Sequence, residues 1–183
     1  MVNSPNLQVR ETIELRIFTL DDAEEFFEVT TKNNTYLREW LWWLDDDKNV
    51  EDVKKYIVGS EKRREENEGI DWCIWNDNYI IGGIGLFPWD TTNKKTSLTY
   101  WLAEDFQGKG IMYDSLKIII HYIFTELHIH RIEITCALGN NKSSALPKKL
   151  GFTFEWISRE SCWLYDHFVD MEIYSLLSSE WQK

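Results

Sequence analysis

In the run QGKGIM, residues 107–112, two glycines stand where a long apolar helix begins. Glycine in a helix costs about 1 kcal/mol relative to alanine, so the pair calls for a reason. The first backbone N–H groups of a helix have no partner within it, and the helix dipole favours negative charge there. Glycines let an anion approach those groups with no Cβ in the way. Gln107, Gly108, Lys109 and Gly110, which lead into that helix, are therefore candidates for holding a phosphate. A glycine-rich loop without a ligand is the alternative that the local sequence leaves open. The spacing is not that of a nucleotide P-loop, and the third glycine of the dinucleotide fingerprint is absent. A second polar cluster, GNNKSSALPKKLGF at 139–152, places Asn140 and Ser143 ahead of a short helix. Both are natural N-cap types. Cys73, Cys136 and Cys162 are widely spaced and lack metal-type pairing, so no metal is expected and they read as reduced thiols of a cytoplasmic protein.

Periodicity predicts the elements that position these residues. TIELRIFT alternates Ile13, Leu15 and Ile17 against Glu14 and Arg16, the pattern of a strand. LDDAEEFFEVTTKN follows with acidic residues suited to a helix N-terminus. YLREWLWWLDDD predicts a short aromatic helix. NVEDVKKYIVGSEKRREEN carries Val50, Val53 and Ile57 at helical spacing after Asn49, an N-cap type. IDWCIWND and YIIGGIGLFPW are strand-like runs joined by a turn at Asn76, Asp77 and Asn78. KKTSLTYWLAED is a third strand. It leads through the glycines into a helix striped by Met112, Leu116, Ile119, Ile120, Ile123 and Leu127. HRIEITCAL is a strand, and the helix after it ends before Gly151, a C-cap glycine. FTFEWIS and FVDMEIYSLL close the chain as strands. An antiparallel meander followed by a strand–helix–strand crossover implies a mixed sheet with helices on its faces.

The chain has 183 residues, enough for one domain with a full core, and nothing marks an internal boundary, so residues 1–183 are read as a single domain. The net charge of −11 argues against sequence-independent binding to nucleic acid, which needs Lys and Arg against phosphates. It suits cationic acceptors, and it equally serves solubility. No apolar run reaches membrane-spanning length and no secretory leader is visible, so no membrane partner is expected. Ten tryptophans imply a very aromatic core or aromatic walls around a cleft.

YWLAEDFQGKGIM at 100–112 resembles the Q/R-x-x-G-x-G/A motif of the GNAT superfamily of N-acetyltransferases. Asn140, Ser143 and Gly151–Phe152 resemble the superfamily's second motif. The segments 33–57 and 165–181 resemble the RimJ/RimL branch, whose studied members acetylate the N-terminal amine of ribosomal proteins. Pro147, where other branches keep a tyrosine, also resembles this branch. The resemblance covers nearly the whole chain in order. It implies an α+β GNAT fold: a mixed, mostly antiparallel seven-stranded sheet, splayed between strands 4 and 5 to admit acetyl-CoA, with helices on both faces. The pyrophosphate would meet the N–H groups of residues 108–112. Pantetheine would run like an extra strand along Tyr100, Trp101 and Leu102.

Acyl transfer from acetyl-CoA to an amine needs a neutral amine, stabilisation of charge on the carbonyl oxygen, and a proton for the leaving thiolate. The resemblance puts backbone N–H groups near Leu102 at the carbonyl oxygen and Asn140 and Ser143 at the coenzyme, with Ser143 near its sulfur. Ser143 can serve the thiolate or cap its helix. The family glutamate on the strand 96–99 is absent, since the chain reads Thr96–Ser97–Leu98–Thr99. A second glutamate, proposed as base in this branch, aligns with Cys162. Glu160, two residues earlier, is the substitute expected on the same strand face, with Asp166 and His167 as alternatives. By the resemblance, Trp40, Trp42 and Trp43 fall on the segment that lines the acceptor side, as an aromatic wall around a bound peptide, with helix packing on the sheet as the other reading. Adjacent Trp42 and Trp43 cannot share a helix face, so one of them must face the cleft or solvent. The acceptor is expected to be a protein or peptide N-terminus. A small amine such as a polyamine or aminoglycoside, and a non-catalytic acetyl-CoA-binding protein, are the other readings. A homodimer is compatible with an exposed WLWW patch.

Overall fold

The computed structural model describes residues 5–46 and 48–181. Strand β1 (Leu7–Gln8) and β2 (Ile13–Ile17) lead into α1 (Ala23–Lys32), α2 (Asn34–Leu37) and α3 (Val50–Glu65). Three strands follow: β3 (Ile70–Asn76), β4 (Tyr79–Asp90) and β5 (Lys95–Leu102). Then come α4 (Ile111–Thr125), β6 (Arg131–Ala137), α5 (Asn141–Lys149), β7 (Thr153–Leu164) and β8 (His167–Leu177). The strands form one sheet in the order β1-β2-β3-β4-β5-β6-β8-β7. Among the described residues only β5 and β6 run parallel, because α4 crosses over between them.

The sheet has eight strands rather than the expected seven. The additional one is β1, where Leu7 pairs with Leu15 and Gln8 with Glu14. Two residues are too few to show any alternation in sequence. The second correction lies at the aromatic segment. The predicted helix over YLREWLWWLDDD is instead α2 followed by a separate 3-10 turn, Trp42–Asp45. Trp42 is 57% exposed, whereas Trp43 stacks on Phe26 of α1 with centroids 6.3 Å apart. The two neighbours do point apart as adjacency requires.

Each face of the sheet has its own core. Ile111, Met112, Leu116, Ile119, Ile120 and Ile123 of α4 pack with Leu15, Trp72, Ile74, Ile84 and Leu86 on one face. Burying each such side chain contributes about 1.5–3 kcal/mol. Phe26 of α1 and Val53 and Ile57 of α3 pack with Phe18, Cys73, Trp75 and Ile80 on the other. Asn49 caps α3 as read, its side chain accepting from Asp52 N. The turn at Asp77 has φ +53° and joins β3 to β4. The tryptophans divide between core and surface: Trp72 and Trp75 are buried, while Trp42, Trp156 and Trp163 are exposed.

Candidate active site

β5 and β6 pair only from Lys95↔Arg131 to Leu98↔Ile134. Beyond Leu98 they part, while β5 keeps its pairing with β4 as far as Gly82↔Leu102. A gap therefore opens at residue 99. Ala103 N donates to Ile81 O of β4 at 2.8 Å. Strand alternation then turns the N–H and C=O of Thr99 and Trp101 toward β4, and those of Tyr100 and Leu102 into the gap. An extended ligand in the gap can pair with them as an added strand does. Trp101 departs from its expected place on this edge. Its main chain faces β4, and its indole lies over Gly83 and edge-on to Phe26 at 5.6 Å. Leu102 also differs from expectation. It stands at the far end of the gap, because the strands part at Leu98 rather than beside it.

The glycine loop closes the far end of the gap. Gly108 and Gly110 have φ of +70° and +74°, so backbone conformation alone excludes most side chains. A Cβ on Gly108 would meet nothing within 4 Å, which leaves the approach to the loop open. The first internal bond of α4 runs from Asp114 N to Gly110 O, so the N–H groups of Ile111, Met112 and Tyr113 have no partner inside the helix. The side chains of Ile111 and Met112 are buried in the core, and what they offer a ligand is main chain. Three cations surround the loop in an otherwise acidic protein. Lys109 Nζ lies over the Phe106 ring, and Lys142 Nζ donates to Gln107 Oε1 at 3.2 Å. Arg10, which sequence reasoning missed, donates to Lys109 O at 3.0 Å and through Nε to Asp114 Oδ2 at 2.8 Å. Unspent helix N–H groups, an open glycine and flanking cations fit a diphosphate.

Gly110→Ala should weaken coenzyme A binding by about tenfold or more. A left-handed conformation costs a residue with a Cβ about 1–2 kcal/mol, and the new Cβ would lie 3.1 Å from the Arg10 guanidinium. Titration calorimetry with coenzyme A reads the change directly. Unaltered affinity would mean that the loop does not hold the coenzyme.

Ser143 stands on the α4 side of the gap. Its hydroxyl donates to Tyr100 Oη at 3.2 Å and lies 3.3 Å from Cys136 Sγ. Tyr100 Oη donates in turn to Ser143 O at 3.0 Å. Burial pushes the Tyr100 phenol and the Cys136 thiol up, so both keep their protons at neutral pH. The cap of α5 is Asn140, whose Oδ1 accepts from Ser143 N at 3.1 Å. The Ser143 hydroxyl is therefore not spent on capping. Cys136 and the Tyr100 side chain were absent from the sequence-based site, because only the fold brings β5, β6 and α5 together.

Glu160 does not stand as expected. β7 bulges between Ser158 and Cys162, and Glu160 sits in the bulge with φ +50°. Its N–H donates to Asp170 Oδ1, and its exposed carboxylate has no partner among the described residues. The face argument from Cys162 therefore fails, since a bulge breaks the alternation it relied on. β7 is also the edge strand, with β8 between it and β6. Burial pushes the Cys162 thiol up, and His167 Nδ1 pairs with Asp166 Oδ1 at 2.7 Å.

On the opposite face, α2 and the Trp42–Asp45 turn meet the β7–β8 turn. Tyr165 Oη donates to Leu41 O at 2.5 Å, and Arg38 lies 3.9 Å over the Tyr165 ring while gripping Asp45 with two bonds. The contacts Trp43–Phe26–Trp101 carry this aromatic segment onto β5. The face opposite Ser143 is thus walled by aromatic and paired charged side chains.

Residues 12–153 match the acetyltransferase (GNAT) domain family. YdaF of Bacillus subtilis (strain 168), whose name assigns it provisionally to ribosomal N-acetylation, is 32% identical over 96% of each chain. The ribosomal-protein-serine acetyltransferase of Escherichia coli (strain K12) is 25% identical over 92% of this chain and 94% of its own. Among solved structures, the ribosomal alpha-N-protein acetyltransferase RimL in complex with coenzyme A superposes with a TM-score of 0.91 at 25% identity, covering 94% of this chain and 98% of RimL. The microcin self-immunity acetyltransferase MccE, in complex with acetyl-CoA and AMP, gives 0.90 at 25% identity, covering 96% of this chain and 98% of MccE. The splayed strands, the left-handed glycine loop and this shared fold together show that the chain belongs to the GNAT family of acetyl-CoA-dependent N-acetyltransferases.

Proposed function

We propose that the acceptor is the N-terminal α-amine of a protein, and that a ribosomal protein is the substrate class. The observation that carries this reading is the character of β5 on the acceptor face. Ser97 and Thr99 stand there, and Thr99 is exposed at the point where the gap opens. A hydroxyl orients an amine but is too weak a base to deprotonate one. An acceptor that loses its proton unaided suits such a site. An α-amine has a pKa of about 7.7–8.0 against about 10.4 for lysine, so its neutral fraction near pH 7 is larger by a few hundredfold. The names of the bacterial relatives support a ribosomal protein as substrate, and RimL is named an alpha-N-protein acetyltransferase.

Within this reading the chain's residues divide the work. Residues 108–112 and Lys142 hold the diphosphate, and the main chain of Tyr100 and Leu102 aligns the pantetheine arm. Acetyl-CoA supplies the acetyl group as a thioester. Ser143 holds a proton for the thiol side, with Tyr100 and Cys136 beside it as neutral neighbours. The aromatic wall around Trp43 and Tyr165 excludes water from the acceptor side.

Thiol release from acetyl-CoA tests the proposal. The acceptors are peptides with Ser, Ala or Met at the N-terminus, their N-blocked lysine versions, spermidine and an aminoglycoside. One class of free N-terminal peptide should be acetylated at least tenfold faster than any lysine or polyamine at neutral pH. Faster lysine or polyamine acetylation would overturn the α-amine reading.

A further inference from the structure

We infer that Thr99 receives the acceptor amine and that the buried Asp71 positions its hydroxyl. The inference rests on acyl transfer in the gap between β5 and β6. Thr99 is the first residue of β5 beyond its last pair with β6. Tyr100, its neighbour, sends its side chain to Ser143 on α5. Strand alternation therefore sends Thr99 to the opposite face, the one that carries α1 and α3. Its side chain has no hydrogen-bond partner among the described residues.

Asp71 lies in the same cross-strand row. Asp71 pairs with Gly85, and Gly85 pairs with Thr99. A Cβ on Gly85 would lie 2.8 Å from Phe87 Cε1, 2.8 Å from Thr99 Oγ1 and 3.0 Å from Asp71 Oδ1. The two oxygens lean into one space from two strands, and a side chain at position 85 would separate them. Glycine inside a strand weakens it and marks a close approach. Here the room left by the missing side chain is shared by the Thr99 hydroxyl, the Asp71 carboxylate and the edge of the Phe87 ring.

The carboxylate is built in. Asp71 is 7% exposed. Its Oδ2 accepts from Ser60 Oγ at 2.5 Å and from the Arg63 guanidinium at 2.9 Å. Its Oδ1 accepts from Tyr56 Oη at 2.9 Å. Oδ1 is also the oxygen that leans toward Thr99, and it retains acceptor capacity. The two oxygens are not bonded to each other in this structure, and the Thr99 hydroxyl can reach Oδ1 by turning about χ1 or through one water. Its lone pairs then face the gap, where a neutral amine donates an N–H to Oγ1 and has its own lone pair fixed in direction. Tyr56, Ser60 and Arg63 hold the Asp71 carboxylate in place, so its contribution is orientation. A carboxylate reaching across a glycine from β3 thus supports the place on β5 where this chain carries only hydroxyls.

The test uses a peptide with an N-terminal serine, titrated against enzyme saturated with coenzyme A, which binds without turnover. Steady-state transfer from acetyl-CoA is measured alongside. Thr99→Val keeps the shape and removes the hydroxyl. It should weaken peptide binding about five- to tenfold and lower kcat/KM at least as much, with coenzyme A affinity unchanged. Thr99→Ser should restore both. The N-acetylated peptide, which has no amine, should bind wild type and Thr99→Val alike. Asp71→Asn, studied in protein that still binds coenzyme A, should lower transfer, and adding it to Thr99→Val should bring little further loss. Wild-type binding and transfer by Thr99→Val would overturn the inference. Fully additive losses in the double variant would assign Asp71 to the fold alone and overturn its positioning role. A wild-type enzyme that binds coenzyme A but acetylates no peptide would overturn the α-amine reading, and the inference with it.

Discussion

Asp71→Ala should destabilise the protein by about 3 kcal/mol. For a chain of this size that lowers the unfolding midpoint by roughly 6–12 °C. Tyr56, Ser60 and Arg63 stand on successive turns of α3, and all three donate to the Asp71 carboxylate on β3. Removing the carboxylate takes the shared acceptor from three donors at once. Ser60 is 4% exposed, so its hydroxyl would be left without water. Breaking a buried charged pair typically costs about 3–5 kcal/mol. The lower end applies here because the Arg63 side chain is 30% exposed and can turn toward solvent. Arg63 also keeps its contacts over the Tyr56 and Phe87 rings. Urea unfolding followed by circular dichroism measures the loss. A change below about 1 kcal/mol would mean that the network behaves as a surface ion pair, and that α3 is held by Val53 and Ile57 alone.

The same network marks where sequence reasoning stops. The stripe on α4 is legible because spacings of three and four persist from Met112 to Ile123. The glycine loop is legible because the chemistry of a helix N-terminus is local to a few residues. Arg10 is not, since it reaches that loop from the far end of the chain. β1 carries too few residues for a period. The bulge at Glu160 places a non-glycine residue at positive φ, and nothing in RESCW announces it. The row Asp71–Gly85–Thr99 exists only through the register of three strands. One signal for it was available: Gly83 and Gly85 stand two apart inside an apolar strand, on the same face. Each leaves room for a side chain from β5, the Trp101 indole at Gly83 and the Thr99 hydroxyl at Gly85.

Ser143→Ala should lower kcat about a hundredfold, the lower range for a positioned acid or base, while coenzyme A affinity changes less than threefold. The hydroxyl is the group at issue because the rest of Ser143 survives the substitution. Its N–H still donates to Asn140 Oδ1, so the cap of α5 is retained. Its carbonyl still accepts from Tyr100 Oη. Stability should therefore barely change, and a loss of rate cannot be ascribed to a frayed helix. The proton inventory favours Ser143 over its neighbours. Tyr100 already donates to Ser143 O, and turning to a thiolate would break that bond. Cys136 is 2% exposed and its thiol is pushed up by burial. Ser143 is half-buried, with a hydroxyl free to rotate from Tyr100 Oη toward the gap and an acceptor lone pair within reach of the Cys136 thiol. Single-turnover measurement in excess enzyme separates the chemical step from product release. A hundredfold loss there, with the coenzyme bound as before, assigns the proton of the leaving thiol to Ser143. An unchanged single-turnover rate would mean that the thiolate departs unprotonated and takes its proton from solvent.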